Sequence, residues 1–149
     1  MNKHEDLLRR LATAPERLAV AALARVTAEA AAGGPPAGEW SAREVIAHLV
    51  AVETHVWQAR LDSLEAGGVP RWIWVEPEPV DNPRAGTVEG VLSLFADFRA
   101  ATVIQCAGFD DAQWARTGDH DTYGLLDVGG LLTVAADHDD EHLAGLLSG

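Results

Sequence analysis

The clearest hydrophobic pattern begins at Val45 and continues through Leu49, Val52 and Val56, steps of three and four residues that lay one apolar stripe along an amphipathic helix. Just ahead stands Ser41-Ala42-Arg43-Glu44, a capping box with a hydroxyl at the N-cap and glutamate at N3. Gly67, Gly68 and Pro70 stop the helix. A second box, Thr13-Ala14-Pro15-Glu16, predicts the start of an earlier helix through Leu18, Ala22 and Val26, ending before Gly33-Gly34-Pro35-Pro36. A short leading helix from Glu5 to Leu11 precedes it in this reading. The third helix is expected from Thr87 to Ala107, with Val91, Leu94, Phe95, Phe98 and Thr102 inward and Gly108 at its end. Asp110 caps one helical turn, residues 116–124 read as loop, and Asp127 caps a last helix through Leu131, Leu132, Ala135, His138, His142 and Leu146.

Between the second and third helices, residues 67–86 carry prolines at 70, 77, 79 and 83 around Arg71-Trp72-Ile73-Trp74, a pattern that argues against a continuous element. A connection this long needs a job. A helix of about 25 residues is roughly 37 Å long, and about twenty extended residues span some 66 Å. The segment is therefore long enough to climb the whole bundle and start the third helix in the direction of the second. The expectation is an all-α fold, a four-helix bundle with a long crossover between helices 2 and 3, in one domain covering residues 1–149.

Composition agrees with helix, since alanine and leucine dominate an apolar fraction of 48%. Charge narrows the partners. The formal net charge of -12, with no stripe of lysine or arginine, repels phosphate backbones and anionic lipid, so no nucleic acid and no membrane is expected. The opening MNKHEDLLRR lacks the apolar core of a signal peptide, and no uninterrupted apolar span approaches membrane length. The single cysteine, Cys106, excludes an intrachain disulfide and a multi-cysteine zinc site and reads as a buried core thiol. Together these point to a reducing cytoplasm.

The candidate chemistry lies in histidines. His138 and His142 are four apart and leave one face of the last helix, a spacing that offers two imidazole nitrogens to one ion. A solvated His-Asp-Asp-Glu-His patch is an equal alternative for the pair alone. His48 lies on the buried side of its helix, three residues after Val45 and four before Val52. It sits near the start of its helix, whereas the pair sits near the end of its own. If the crossover makes helices 2 and 3 parallel, those two ends share one end of the bundle and three imidazoles meet. Three ligands leave a coordination position open for water or substrate, and zinc or nickel suits imidazole. Asp137, Asp139, Asp140 and Glu141 read mainly as solvated acids, His55 is too far along its helix to share the ion, His4 reads as exposed, and His120 falls in a loop.

The run Glu39-Trp40-Ser41-Ala42-Arg43-Glu44-Val45-Ile46-Ala47-His48-Leu49, followed by Glu53, resembles a block of the DinB-like superfamily. The segment from Arg116-Thr117-Gly118-Asp119-His120 to His138-Asp139-Asp140-Glu141-His142-Leu143 resembles that family's closing helix. Gly145 and Leu146 depart from it where many members carry glutamine. The resemblance implies an up-down-down-up bundle, a three-ligand metal site on His48, His138 and His142, and a homodimer. It also implies a divalent-metal-dependent transferase joining a low-molecular-weight thiol, of the bacillithiol or mycothiol type, to a small electrophilic substrate. A non-catalytic metal-binding stress-response module is the alternative, and hydrolysis by metal-bound water ranks third.

Overall fold

The computed structural model describes residues 3–148, so residues 1, 2 and 149 of the expected domain lie outside the described residues. In chain order the elements are α1 (Lys3–Ala32), α2 (residues 42–65), β1 (Arg71–Trp72), α3 (Val88–Ala107), α4 (Asp111–Trp114), β2 (Thr117–His120), β3 (Gly124–Asp127) and α5 (Val128–Leu147). Helix α1 packs on α3 and α5, and α3 packs on α2. Four long helices thus share an interior, with one apolar cluster around Leu18, Ile46, Val91 and Phe95 and another around Leu61, Trp72, Leu131 and Leu132.

The caps at Ser41, Asp110 and Asp127 form as the pattern predicts, the first two as reciprocal capping boxes. Thr87 caps α3 through Gly90 N–H. Thr13 does not begin a helix. Residues 3–32 are one helix with Pro15 inside it, and the Thr13 hydroxyl donates back to Arg10 O at 3.3 Å. A proline there removes the amide that would bond the carbonyl four residues earlier, that of Leu11. Another donor replaces it: Arg99 Nη1 of α3 reaches Leu11 O at 3.0 Å. The capping pattern misleads because a tertiary hydrogen bond covers the carbonyl that proline frees.

Arg99 is 1% exposed and binds two buried carboxylates as well. Its Nε and Nη2 donate to Glu53 at 2.9–3.1 Å, and Nη1 and Nη2 donate to Asp139 at 2.7 and 2.9 Å. One guanidinium therefore ties α1, α2 and α5 to α3. Burial disfavours its charge, but Glu53 and Asp139 outweigh that and hold its pKa above the usual value. By length and composition α3 is also apolar enough to cross a membrane, with a mean hydropathy of 1.2. This departs from the expectation that no such span exists. Its buried face carries the Arg99 ion network that joins it to the other helices of the bundle.

Two departures lie near the histidines. Within α2, residues Glu53–Gln58 form a π-helical stretch between two α-helical segments, a local underwinding common at functional sites. Nor is the fold purely helical. β1, from the connection after α2, pairs parallel with β2, which lies in the segment expected to be loop, and β2 pairs antiparallel with β3, which starts at the end of that segment. The strands lack strand-forming runs and owe their shape to pairing. Gly118 allows it, because a Cβ there would stand 2.3 Å from the Trp72 indole.

Candidate metal centre

Ser41 fixes the start of α2 and Asp127 that of α5, and each helix then carries its histidines to a common point. The ligating nitrogens of His48, His138 and His142 all lie within 4.8 Å of one another. The Nε2 atoms of His138 and His142 are 3.2 Å apart. Two imidazoles bound to one tetrahedral ion at roughly 2.0–2.1 Å would hold their nitrogens about 3.3 Å apart, so the pair already has ligand spacing. His48 Nδ1 lies 3.2 Å from Glu76 Oε1, a carboxylate supplied by the long connection. Such a carboxylate orients an imidazole and fixes which nitrogen carries its proton.

The electrostatics keep these rings neutral. Burial pushes His138 down to about 3, reinforced by His142, His48 and Arg99. Burial also lowers His48, opposed by Glu76, and lowers His142, helped by His48. Neutral imidazole is the form that offers a lone pair to a cation. His138 Nδ1 is buried and finds no hydrogen-bond partner among the described residues. Three neutral, converging nitrogen donors fit one divalent ion.

Aromatic rings enclose the cluster. Trp40 lies 5.0 Å from His48, and Trp57 and Trp74 lie 5.8 and 6.0 Å from His138, centroid to centroid. The two tryptophans of the connection divide their roles. Trp72 is buried and donates from Nε1 to Ser63 Oγ at 3.0 Å, whereas Trp74 is 40% exposed and lines a cleft of about 590 Å³ that reaches His138. Arg60, His120, Tyr123 and Leu126 also line it.

The remaining candidates separate cleanly. His55 is exposed and outside the cluster. His4 is half-buried and stacks on Trp114 at 3.8 Å, contrary to the exposed position expected. His120 is buried on β2 rather than free in a loop. Asp139 is no solvated acid but the buried partner of Arg99, with burial raising its carboxyl against that pull. Asp137 and Asp140 both receive Arg10, at 2.8 and 2.6 Å. Cys106 is buried, and burial, with Glu53 and Glu65, pushes its thiol up to about 12. The residues that periodicity did not single out are Glu76, Trp57 and Arg60. Only Arg60 had a signal, an arginine set in the apolar face formed by Trp57, Leu61 and Leu64.

A helical bundle with three neutral histidines at one point, walled by tryptophan, defines the class. The model of the DinB superfamily matches residues 10–145, and the chain belongs to that superfamily. No curated protein matches it. Among solved structures it is similar to YfiT from Bacillus subtilis, described as a probable metal-dependent hydrolase with an unusual four-helix bundle topology. That likeness has a TM-score of 0.72 at 18% identity and covers 99% of this chain and 86% of the other.

Proposed function

We propose that this protein is a divalent-metal-dependent enzyme, with His48, His138 and His142 holding one zinc or nickel ion beside a substrate cleft. The observation that carries the reading is the meeting of three neutral imidazole donors from two helices. A divalent ion there supplies Lewis acidity, lowering the pKa of a bound thiol or water. Three protein ligands leave room for that group. Glu76 orients His48, and Trp57 and Trp74 keep the wall of the site apolar. The cleft of about 590 Å³ has the size of a small-molecule site.

The first reading of the reaction is transfer of a low-molecular-weight thiol to a small electrophile, as the family resemblance implies. Hydrolysis is the second, favoured by the likeness to YfiT. The reading also includes the up-down-down-up order and the crossover. It is supported by Arg43 meeting Ala85 O near the starts of α2 and α3, and by Gln58 meeting Gln105 further along both. Arg10 against Asp137 and Arg25 against Gly145 O support the same sense for α1 and α5. A cytoplasmic homodimer completes the proposal.

Metal analysis by plasma mass spectrometry on tag-free protein tests the centre. About one ion per chain is expected, and His48→Ala and His142→Ala should each lose it; retention in both variants overturns the assignment. Titration of the loaded protein with bacillithiol and mycothiol then separates the reactions. Binding of neither removes thiol transfer, and turnover of esters or amides without thiol selects hydrolysis. A purely structural metal clip would make chelation strongly destabilising. The Arg99 network already ties the helices together, so only a small loss is expected.

A further inference from the structure

Arg60 is 7% exposed and forms no ion pair among the described residues. Its guanidinium carbon lies 5.6 Å from the Trp57 ring and 5.7 Å from that of Trp72. Cation–π contacts of this kind hold the guanidinium without supplying an anion, and its planar N–H fork is suited to one. The neighbouring indole is held in place, since Trp72 Nε1 donates to Ser63 Oγ, which itself donates to Arg60 O at 2.6 Å. Arg99 shows how this fold treats a buried arginine that serves structure alone: two carboxylates and a carbonyl saturate it. Burial disfavours the Arg60 charge and the nearby Asp121 carboxylate offsets only part of that, a cost justified where a ligand supplies an anion in direct contact.

A second donor stands in the same cleft. His120 is 9% exposed, and its Nδ1 accepts the backbone N–H of Thr122 at 3.0 Å and of Tyr123 at 3.3 Å. An Nδ1 that accepts two amides carries no proton, so the neutral ring keeps its hydrogen on Nε2 as a donor. The Asp121 carboxylate 3.3 Å from that same Nδ1 is no ion-pair partner in this tautomer. Burial and the nearby Arg60 charge both keep His120 below the usual pKa, in agreement with a neutral ring. No acidic group lining the cleft forms an ion pair with Arg60 among the described residues, although Asp121 acts on both Arg60 and His120 from nearby. Asp137 is held by Arg10, and Asp121 and Glu141 are exposed.

We propose that Arg60 and His120 form an oxyanion-recognition subsite in the cleft beside His138, so that the substrate is a small anion, a carboxylate or phosphate ester, with an apolar body. The inference rests on the proposed function for the identity of the neighbouring centre, but the binding it describes does not need the ion. Trp57, Trp74, Tyr123 and Leu126 supply apolar surface for the body of such a ligand. Against a chain of net charge -12, one buried cation selects the orientation as well as the class of the ligand. The anionic end goes to Arg60, which leaves the rest of the molecule toward the histidines.

Isothermal titration with benzoate, phenyl phosphate and benzamide tests this, on metal-loaded and on chelated protein, for wild type, Arg60→Gln and Arg60→Lys. Benzoate or phenyl phosphate should bind about ten-fold or more tightly than neutral benzamide in both metal states. The tighter of the two anions tells carboxylate from phosphate. Arg60→Gln should erase the preference while metal content stays at the wild-type level, and Arg60→Lys should retain part of it. Equal binding of benzamide and the anions, or no binding of any, overturns the subsite. So does an anion preference that vanishes on chelation and survives Arg60→Gln, because the anion then sits on the ion and the centre alone stands. A preference that depends on Arg60 in protein that never takes up metal supports the subsite and sinks the metal reading. If Arg60→Gln does not fold, the wild-type comparison and Arg60→Lys still decide.

Discussion

Replacing Arg99 with methionine removes the guanidinium at nearly constant volume and leaves three groups without partners. Glu53 and Asp139 become facing carboxylates in an interior where both are at most 2% exposed. Breaking a buried ion pair from one side costs about 3–5 kcal/mol. Leu11 O, already without an amide partner because of Pro15, becomes a buried orphan worth about 1–3 kcal/mol more. Relaxation and protonation of one carboxylate offset part of the sum, so a loss of at least about 3 kcal/mol is expected, against a total stability of roughly 5–15 kcal/mol. Urea denaturation of chelated protein at pH 7 measures it. The deficit should shrink between pH 7 and pH 5. Burial already raises the Asp139 carboxyl, and without Arg99 the opposing pull is gone, so this group in the folded variant keeps a proton that the unfolded chain releases, and its contribution to stability grows as pH falls. Pro15→Ala gives a sharper check, since it restores an amide for Leu11 O. It should help the Arg99→Met background by about 1 kcal/mol more than it helps wild type. A loss below about 1 kcal/mol, or effects that simply add, would refute the reasoning. Should Arg99→Met fail to fold, Arg99→Lys keeps the charge and gives a smaller, measurable loss.

Other outcomes follow from the same geometry. His138, held at about 3 by burial, stays neutral while an unfolded histidine protonates below about 6.5, so chelated protein should lose stability as pH falls from 6.5 toward 3, on the order of 1 kcal/mol per unit. His138→Phe should flatten that slope in urea titrations repeated across pH. Gly118→Ala forces Trp72 away from β2 and should cost about 2 kcal/mol or more, read as a lowered melting temperature. Cys106 should ignore a disulfide reagent in the native protein and react fully in denaturant, because its thiol is both buried and shifted up to about 12.

Local chemistry announced much of this architecture. Ser41, Asp110 and Asp127 name their helix starts because a cap is a contact between residues three apart, visible in one short window. The His138 and His142 pair is legible for the same reason, and His48 joined it through its place on an apolar face. What stayed hidden depends on partners distant in sequence. Pro15 reads as a helix start until Arg99, 84 positions further on by number, takes over the carbonyl that proline abandons. The strands Thr117–His120 and Gly124–Asp127 carry little strand preference and exist through pairing with each other and with Arg71–Trp72. The π-helical stretch in α2 has no sequence signature at all. Glu76 looked like any acid in a proline-rich connection, since nothing local places it on His48.

The tryptophans around the histidines also make the site optically self-reporting. Three of the chain's five indoles have ring centroids within 6.0 Å of a candidate ligand ring. Excited-state quenching by a paramagnetic ion acts over such distances, so cobalt or copper should darken most of the emission on arrival, while closed-shell zinc should leave it bright. Trp72 and Trp114 lie on Arg60 and His4 and supply a steadier background. Occupancy could thus be followed in real time, without a label, by the colour and lifetime of the protein's own light.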